Sequence, residues 1–258
     1  MLTFRNTNIF ILSLIIIILI LANTWCTIPF YIYIVIFIIY SFILFYGSYH
    51  IGSGFYLKTI CSAKTHQKSI AITFDDGPVQ NNTQEILCVL RAENVKATFF
   101  CIGNRIAGNE NIIHKIIDDG HIIGNHSYSH HFWFSIFSSK KIKDELNQMD
   151  EELKKVIGLK PRFFRPPYGV TNPNLKNAIL SANYYVIGWS VRSMDTVIKS
   201  ENKLLNKICK GIKPGAIILF HDTSATTLKI LPEFLKQVKL RGYNIASLDT
   251  LLNINPYE

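Results

Sequence analysis

Two apolar runs open the chain. Every residue from Ile9 to Ala22 except Ser13 is apolar, and every residue from Ile28 to Tyr46 except Pro29 and Ser41 is apolar or aromatic. A bilayer core is crossed by a helix of about 20 residues. The second run meets that length, and the first reaches it when extended towards Trp25. The linker Asn23–Thr27 is short and uncharged, so the pair predicts a helical hairpin with both ends on one side. Trp25, Tyr46 and Tyr49 fall where interfacial aromatics belong. Arg5, Lys58, Lys64 and Lys68 lie on the side of the hairpin ends, and the positive-inside rule then puts the rest of the chain in the cytoplasm. A secretory signal is the alternative for the first run. It calls for small residues at a cleavage site, which Ala22-Asn23-Thr24 matches poorly. If the first run does not span, the remainder faces outward.

The pattern changes after residue 68. Short apolar stretches predict strands at Ile70–Phe74, Ala97–Ile102, His121–Gly124, Phe163–Phe164, Tyr184–Trp189 and Ala216–Phe220. Between them, apolar residues recur at helical spacing over Thr83–Glu93, Ile112–Asp119, Lys140–Ile157, Pro173–Ser181, Lys203–Lys210 and Ala225–Leu240. The third of these puts Leu146, Met149, Leu153 and Val156 on one face. Gly120 and Gly158 are natural helix stops. Repeated strand–helix alternation implies an α/β fold with a mostly parallel sheet, and an irregular barrel fits the number of units. The chain therefore divides into hydrophobic anchoring helices (1–50), a connecting segment (51–67) and one catalytic-sized domain (68–258).

Charge sharpens this division. The chain carries +9 in 258 residues, but residues 1–50 contain Arg5 and no Lys, Asp or Glu, leaving +8 on the remainder. No helix or ribbon of clustered arginines accompanies that excess, which argues against nucleic acid as a partner and for a solvated basic surface or an anionic neighbour. Cys26, Cys61, Cys88, Cys101 and Cys209 are odd in number and lack metal-site spacing, so no disulfide framework is expected. Cys88 and Cys101 sit in apolar periodic runs and read as buried thiols.

The unusual polar residues fall just after the strands, where parallel α/β folds build their sites. Asp75 and Asp76 follow the first strand. Adjacent carboxylates repel unless a metal or a shared proton intervenes, although Asp-Gly-Pro is also ordinary turn chemistry. His126 and His130, four apart as on one helical turn, suit a single metal. Such a pair alone is more often surface or core. With a carboxylate from another strand end it forms a set of two His and one acid that can hold a water and lower its pKa. Arg165-Pro166-Pro167-Tyr168 and Leu219-Phe220-His221 end two further strands.

In that order, T-F-D-D-G-P (Thr73–Pro78), H-S-x-x-H (His126–His130), R-P-P-Y (Arg165–Tyr168) and L-x-H (Leu219–His221) resemble the polysaccharide deacetylase family, also called the NodB-homology or carbohydrate esterase family 4 domain. The resemblance covers about residues 68–250. It implies a distorted (β/α) barrel of about seven strands, here preceded by two hydrophobic membrane helices. It implies that Asp76, His126 and His130 hold a divalent metal, with zinc the usual expectation. It makes Asp75 the general base, Arg165 the partner that keeps Asp75 ionised, the Tyr168 backbone N–H an oxyanion donor and His221 the acid that protonates the leaving amine. The fourth family motif, usually D-x-x-D-W, fits poorly. Arg192 and Thr196 replace its first acid and its Trp, while Asp195 is retained, either to orient His221 or to balance Arg165, and Trp189 is a candidate for the missing wall.

The expected function is hydrolytic N-deacetylation of N-acetylglucosamine-type units in peptidoglycan, a polysaccharide or a lipid-linked glycan at the bilayer. The alternatives are a glycan-binding pseudoenzyme, supported by the altered fourth motif, and a sugar O-deacetylase, since the same water can attack an ester.

Overall fold

The computed structural model describes residues 2–24, 27–180 and 182–258. Trp25, Cys26 and Ser181 lie outside these residues, and with them one expected interfacial aromatic, one of the five thiols and the end of one expected helix.

The apolar runs form α1 (Phe4–Thr24) and α2 (Phe30–Tyr49). Each is long and apolar enough to cross a membrane, with mean hydropathy 2.3 and 2.2 over its most apolar window. Only 6% of either window is buried against the rest of the chain, so their apolar side chains are not core residues of the domain. A hydrogen bond from the Tyr40 hydroxyl to Asn8 Oδ1 links the two helices. The hairpin ends are tied to the segment that follows. The Phe4 N–H donates to Phe55 O at 3.0 Å, and the Phe4 ring lies 5.2 Å from that of Tyr56. Thr171 donates from its N–H to Ser48 O and from its hydroxyl to Gly47 O.

The rest of the chain alternates strand and helix: β1 (Ser69–Asp75), α3 (Gln80–Ala92), β2 (Thr98–Cys101), α4 (Glu110–Asp118), β3 (Ile122–Asn125), α5 (Ser139–Ile157), β4 (Phe163–Phe164), α6 (Pro173–Leu180), β5 (Tyr185–Val186), β6 (Val191–Arg192), α7 (Glu201–Gly211), β7 (Ile217–His221), α8 (Ala225–Leu240), β8 (Asn244–Ile245) and α9 (Leu248–Leu252), of which β6, β8 and α9 are additions to the expected elements. The strands pair in the order β5-β4-β3-β2-β1-β7-β6, with β8 added beside β1, and every pairing is parallel.

One expected strand, Tyr184–Trp189, is cut short at Val186, and a further short strand follows just beyond it. Residues 185–186 pair with β4 and residues 191–192 with β7, so one continuous stretch joins both edges of the curled sheet. It changes neighbours midway, which breaks the ladder that a single strand would keep. The connecting segment is built into the same seam. Ile60 donates to Val186 O and accepts from Gly188 N–H, and the Ala63 N–H donates to Gly215 O. The result is the distorted (β/α) barrel, seven parallel strands along its path with β8 added at β1.

Alternation along the strands sorts the side chains. Ile70, Ile72 and Phe74 of β1 face the helices, in one cluster with Leu90 of α3, Ile113 of α4, Ile208 of α7 and Phe234 of α8. Ala71 faces inward with Phe100, Phe163, Ile187 and Ile217, and Leu248 of α9 joins this inner cluster. The same alternation sends Thr73 and Asp75 inward. α5 buries Leu146, Met149 and Leu153 as predicted, with its N-terminus capped by Ser138. Cys88 departs from expectation: it is exposed, because α3 buries Thr83, Ile86, Leu87 and Leu90 on the other side. All four described cysteines are free.

Candidate active site

The register of the sheet assembles the site. Asp75 is level with Phe100 on one side and His221 on the other. Asn125 is level with Phe164, which makes His126 and Arg165 neighbours. Arg192 pairs with Leu219, two residues before His221. Asp75, Asp76, His126, His130, Tyr168, Trp189, Arg192, Thr196 and His221 thereby line one cavity of about 240 Å³ at the C-terminal ends of the strands.

Asp75 and Asp76 reach this cavity despite being consecutive. Asp75 keeps the inward direction of its strand. Asp76 turns back through a left-handed conformation, φ 76°, which lets a neighbour on a strand point into the same space. Its carbonyl accepts from the Arg105 guanidinium, and the turn ends in a cis Gly77–Pro78 bond. Gly77 packs so closely on Asp222 that a Cβ there would lie 1.9 Å from the Asp222 carboxylate. Asp222 in turn accepts from the Thr83 hydroxyl, which itself accepts from the Val79 N–H. Asp222 is buried, and burial pushes its carboxyl up to about 7 against the Thr83 hydrogen bond, helped by the charges of Asp76 and Asp75.

The two histidines come together by a different route from the one their spacing predicts. Residues 126–130 are not helical. Ser127 and His130 both have positive φ, 66° and 47°. The Ser127 hydroxyl accepts from the His130 N–H, and Asn125 Oδ1 accepts from the Ser127 N–H. This folded turn brings both imidazoles to Asp76: its Oδ1 lies 3.5 Å from His126 Nε2 and 3.4 Å from His130 Nε2.

These donors fit a metal. One ligand atom from each of the three residues lies within 4.8 Å of the others. His126 Nδ1 is 2.8 Å from Arg165 O. A carbonyl only accepts, so Nδ1 carries the proton and the Nε2 lone pair is left for the site, the usual outer support of a metal-binding His. Burial, then the neighbouring His126, pushes His130 down to about 4, which keeps it an unprotonated ligand at neutral pH. Burial would raise the Asp76 carboxyl, but the hydrogen bond and charges of His126 and the charge of His130 outweigh it and hold it well below the ordinary range.

Arg165 is fully buried inside the barrel. Its guanidinium donates to Asp75 Oδ1 at 2.6 Å, to the Thr73 hydroxyl and to the carbonyls of Ile187 and Gly188, and it stacks 4.1 Å from the centre of the Phe100 ring. Removing one member of such a pair leaves a buried charge alone, a cost of about 3–5 kcal/mol. The split between β5 and β6 thus has a local purpose, since Ile187 and Gly188 turn two carbonyls to Arg165.

Asp195 pairs with His221 and not with Arg165. Its carboxylate accepts from His221 Nδ1 and from the His221 backbone N–H, each at 2.7 Å, and from the Ser193 and Thr227 hydroxyls. Burial alone would lower the His221 pKa, but the hydrogen bond and charge of Asp195 raise it to about 9. Tyr168 stands at the lip with φ 61°, its ring 4.8 Å from that of His130. Trp189 lies across Gly169, where a Cβ would fall 2.3 Å from the indole, and so forms the wall between Tyr168 and Arg192.

The structure therefore gathers every residue expected from the sequence. It adds Thr73, Arg105, Asn125 and Asp222, which support the others from behind. Asn125 donates to Leu146 O and Asp150 while holding the histidine turn. Thr73, Asn125 and Asp222 neighbour strand ends already marked by an unusual polar residue, whereas Arg105, after β2, carried no such signal.

Residues 62–187 match the family described as Polysaccharide deacetylase. A peptidoglycan-N-acetylglucosamine deacetylase of Bacillus cereus is 32% identical over 194 residues, covering 74% of this chain and 70% of that one. The peptidoglycan-N-acetylmuramic acid deacetylase PdaA of Bacillus subtilis is 33% identical over 192 residues, covering 73% of each. The crystal structure of the Bc1960 peptidoglycan N-acetylglucosamine deacetylase superposes with a TM-score of 0.73 at 30% identity, over 77% of this chain and 94% of that one. The chain belongs to the polysaccharide deacetylase family, hydrolases that act on carbon–nitrogen bonds other than peptide bonds.

Proposed function

We propose that this protein removes acetyl groups from N-acetylated sugars of peptidoglycan, or of a lipid-linked glycan that precedes it, while anchored in a membrane by α1 and α2. The convergence of a carboxylate–arginine pair, a carboxylate–histidine pair and a three-donor metal set in one cavity carries this reading. An amide carbon is a poor electrophile, so its hydrolysis needs an activated water, an oxyanion stabiliser and a proton for the amine. Asp76, His126 and His130 would hold a divalent cation, zinc by the donor chemistry, which would supply Lewis acidity for the first two needs.

The remaining steps belong to side chains. Asp75 takes the proton from the attacking water. Arg165 fixes one of its oxygens at 2.6 Å. The Tyr168 N–H supports the charge that develops on the carbonyl oxygen. His221, held as the Nδ1–H tautomer by Asp195, delivers its proton from Nε2 to the departing amine. The amine leaves on the sugar and acetate is the second product. Two carboxylates with different partners thus divide the proton work between them, one accepting and one sustaining a donor.

The membrane reading rests on the two apolar helices and on the Thr171 hydrogen bonds to the end of α2. Thr171 is close in sequence to the cavity lip at Tyr168, which favours a substrate near the bilayer surface. The positive-inside rule favours a cytoplasmic domain and hence a precursor substrate. Matched N-acetylated and O-acetylated glucosamine oligomers test the chemistry. Acetate from the N-acetyl compound supports the proposal, and acetate from the O-acetyl compound alone replaces it with an esterase.

A further inference from the structure

The replaced fourth motif changes the charge of the cavity as well as its shape. Where the family pattern has an acid, Arg192 lines the cavity beside Trp189 and Thr196. Its guanidinium lies 5.7 Å from the centre of the Trp189 ring, a placement that orients a guanidinium without neutralising it. Among the described residues it makes no ion pair with an acid within 4.0 Å. A second cation stands behind it: Lys207 Nζ donates to Arg192 O. Burial, then the charge of Arg192, pushes Lys207 below its ordinary value. The other arginine near the same indole, Arg165, is already committed to Asp75.

Arg192 is therefore an exposed guanidinium lining the same cavity as Asp75, Asp76 and the histidines, with no acid paired to it among the described residues. A planar fork of N–H donors matches a carboxylate or a phosphate far better than a neutral hydroxyl. We infer that Arg192 selects N-acetylated sugars that carry an anionic group next to the reacting unit. The two sources of such a group are a carboxylate ether on the sugar and a phosphate at its anomeric oxygen. This rests on the deacetylase reading for the identity of the sugar, but the recognition itself does not require turnover.

Binding to the full-length, zinc-loaded protein in detergent is the test. Titration calorimetry compares N-acetylglucosamine, N-acetylmuramic acid and N-acetylglucosamine-1-phosphate. One or both anionic sugars are expected to bind about 10–100-fold tighter than the neutral one, with the preference reduced by added salt. Arg192→Met is expected to abolish that preference, and Arg192→Lys to retain part of it. The muramic arm reports a carboxylate source and the phosphate arm a phosphate source. Equal affinity for all three sugars overturns the inference. So does a preference that survives Arg192→Met, because the anion then sits on the metal. Arg192-dependent binding with no acetate released would leave this inference standing and refute the deacetylase proposal.

Discussion

Asp76, His126 and His130 are weak signals singly, joined in the sequence by their ordered partner motifs and in the structure by their distances. Each imidazole is about 3.5 Å from the same carboxylate oxygen. Asp76→Ala or His126→Ala should remove stoichiometric zinc, as measured by elemental analysis of purified protein. Full metal content in either variant would reject this donor set. Asp195 is testable through pH. The His221 imidazolium is the proton donor, and Asp195 holds it charged up to about pH 9. The rate should therefore fall as pH rises through about 9. In Asp195→Asn that alkaline limb should move down towards the ordinary His value near 6.5. An unmoved limb would assign it to another group. The same pair links folding to pH: the raised folded-state pKa contributes stability that is complete below about 6.5 and lost as pH rises through about 9. The chemical identity of these residues was legible in the sequence because strand ends concentrate function. The choice between two roles for Asp195 was not, since it depends on which strand lies beside β7.

At the scale of elements, the strand ends matter less than the turns that follow them. The spacing of His126 and His130 suggested a helical turn, but the chain uses two left-handed residues and an Asn side chain to reach the same result. No periodicity reveals that geometry, because local hydrogen bonds outcompete the helix there. The early end of the strand expected over Tyr184–Trp189, and the second pairing just after it, were equally hidden. Apolar alternation continues through it, and only the presence of β4 and β7 as different neighbours interrupts the ladder. The β1–α3 turn makes a specific demand on Gly77. Gly77→Ala should lower stability by about 1–3 kcal/mol through overpacking against Asp222. Adding Asp222→Ala should recover part of the loss. Urea unfolding reads both, and an unchanged midpoint in the single variant would contradict the contact.

The whole molecule joins an apolar hairpin to a barrel through a segment that is part of the barrel seam. Hydrophobic length made the hairpin evident from sequence, whereas residues 51–67 gave no sign of their bridges to Ile187 and Ala216, beside β5 and β7. The hairpin ends dock beside Thr171 and Phe55, so the hairpin is tied to the segment that follows Tyr168. The full-length protein should float with phospholipid vesicles and stay bound through an alkaline carbonate wash. Release by that wash would refute an integral anchor. The proposed reaction is hydrolysis of a sugar acetamide by Asp75 and its partners. Proton NMR of the full-length, zinc-loaded protein with an N-acetylglucosamine oligomer tests it most directly. Acetate and free amine should appear in equal amounts, and Asp75→Asn with full metal content should be slower by at least about a hundredfold. No acetate from the metal-loaded wild-type protein, or an equal rate in Asp75→Asn, would contradict it.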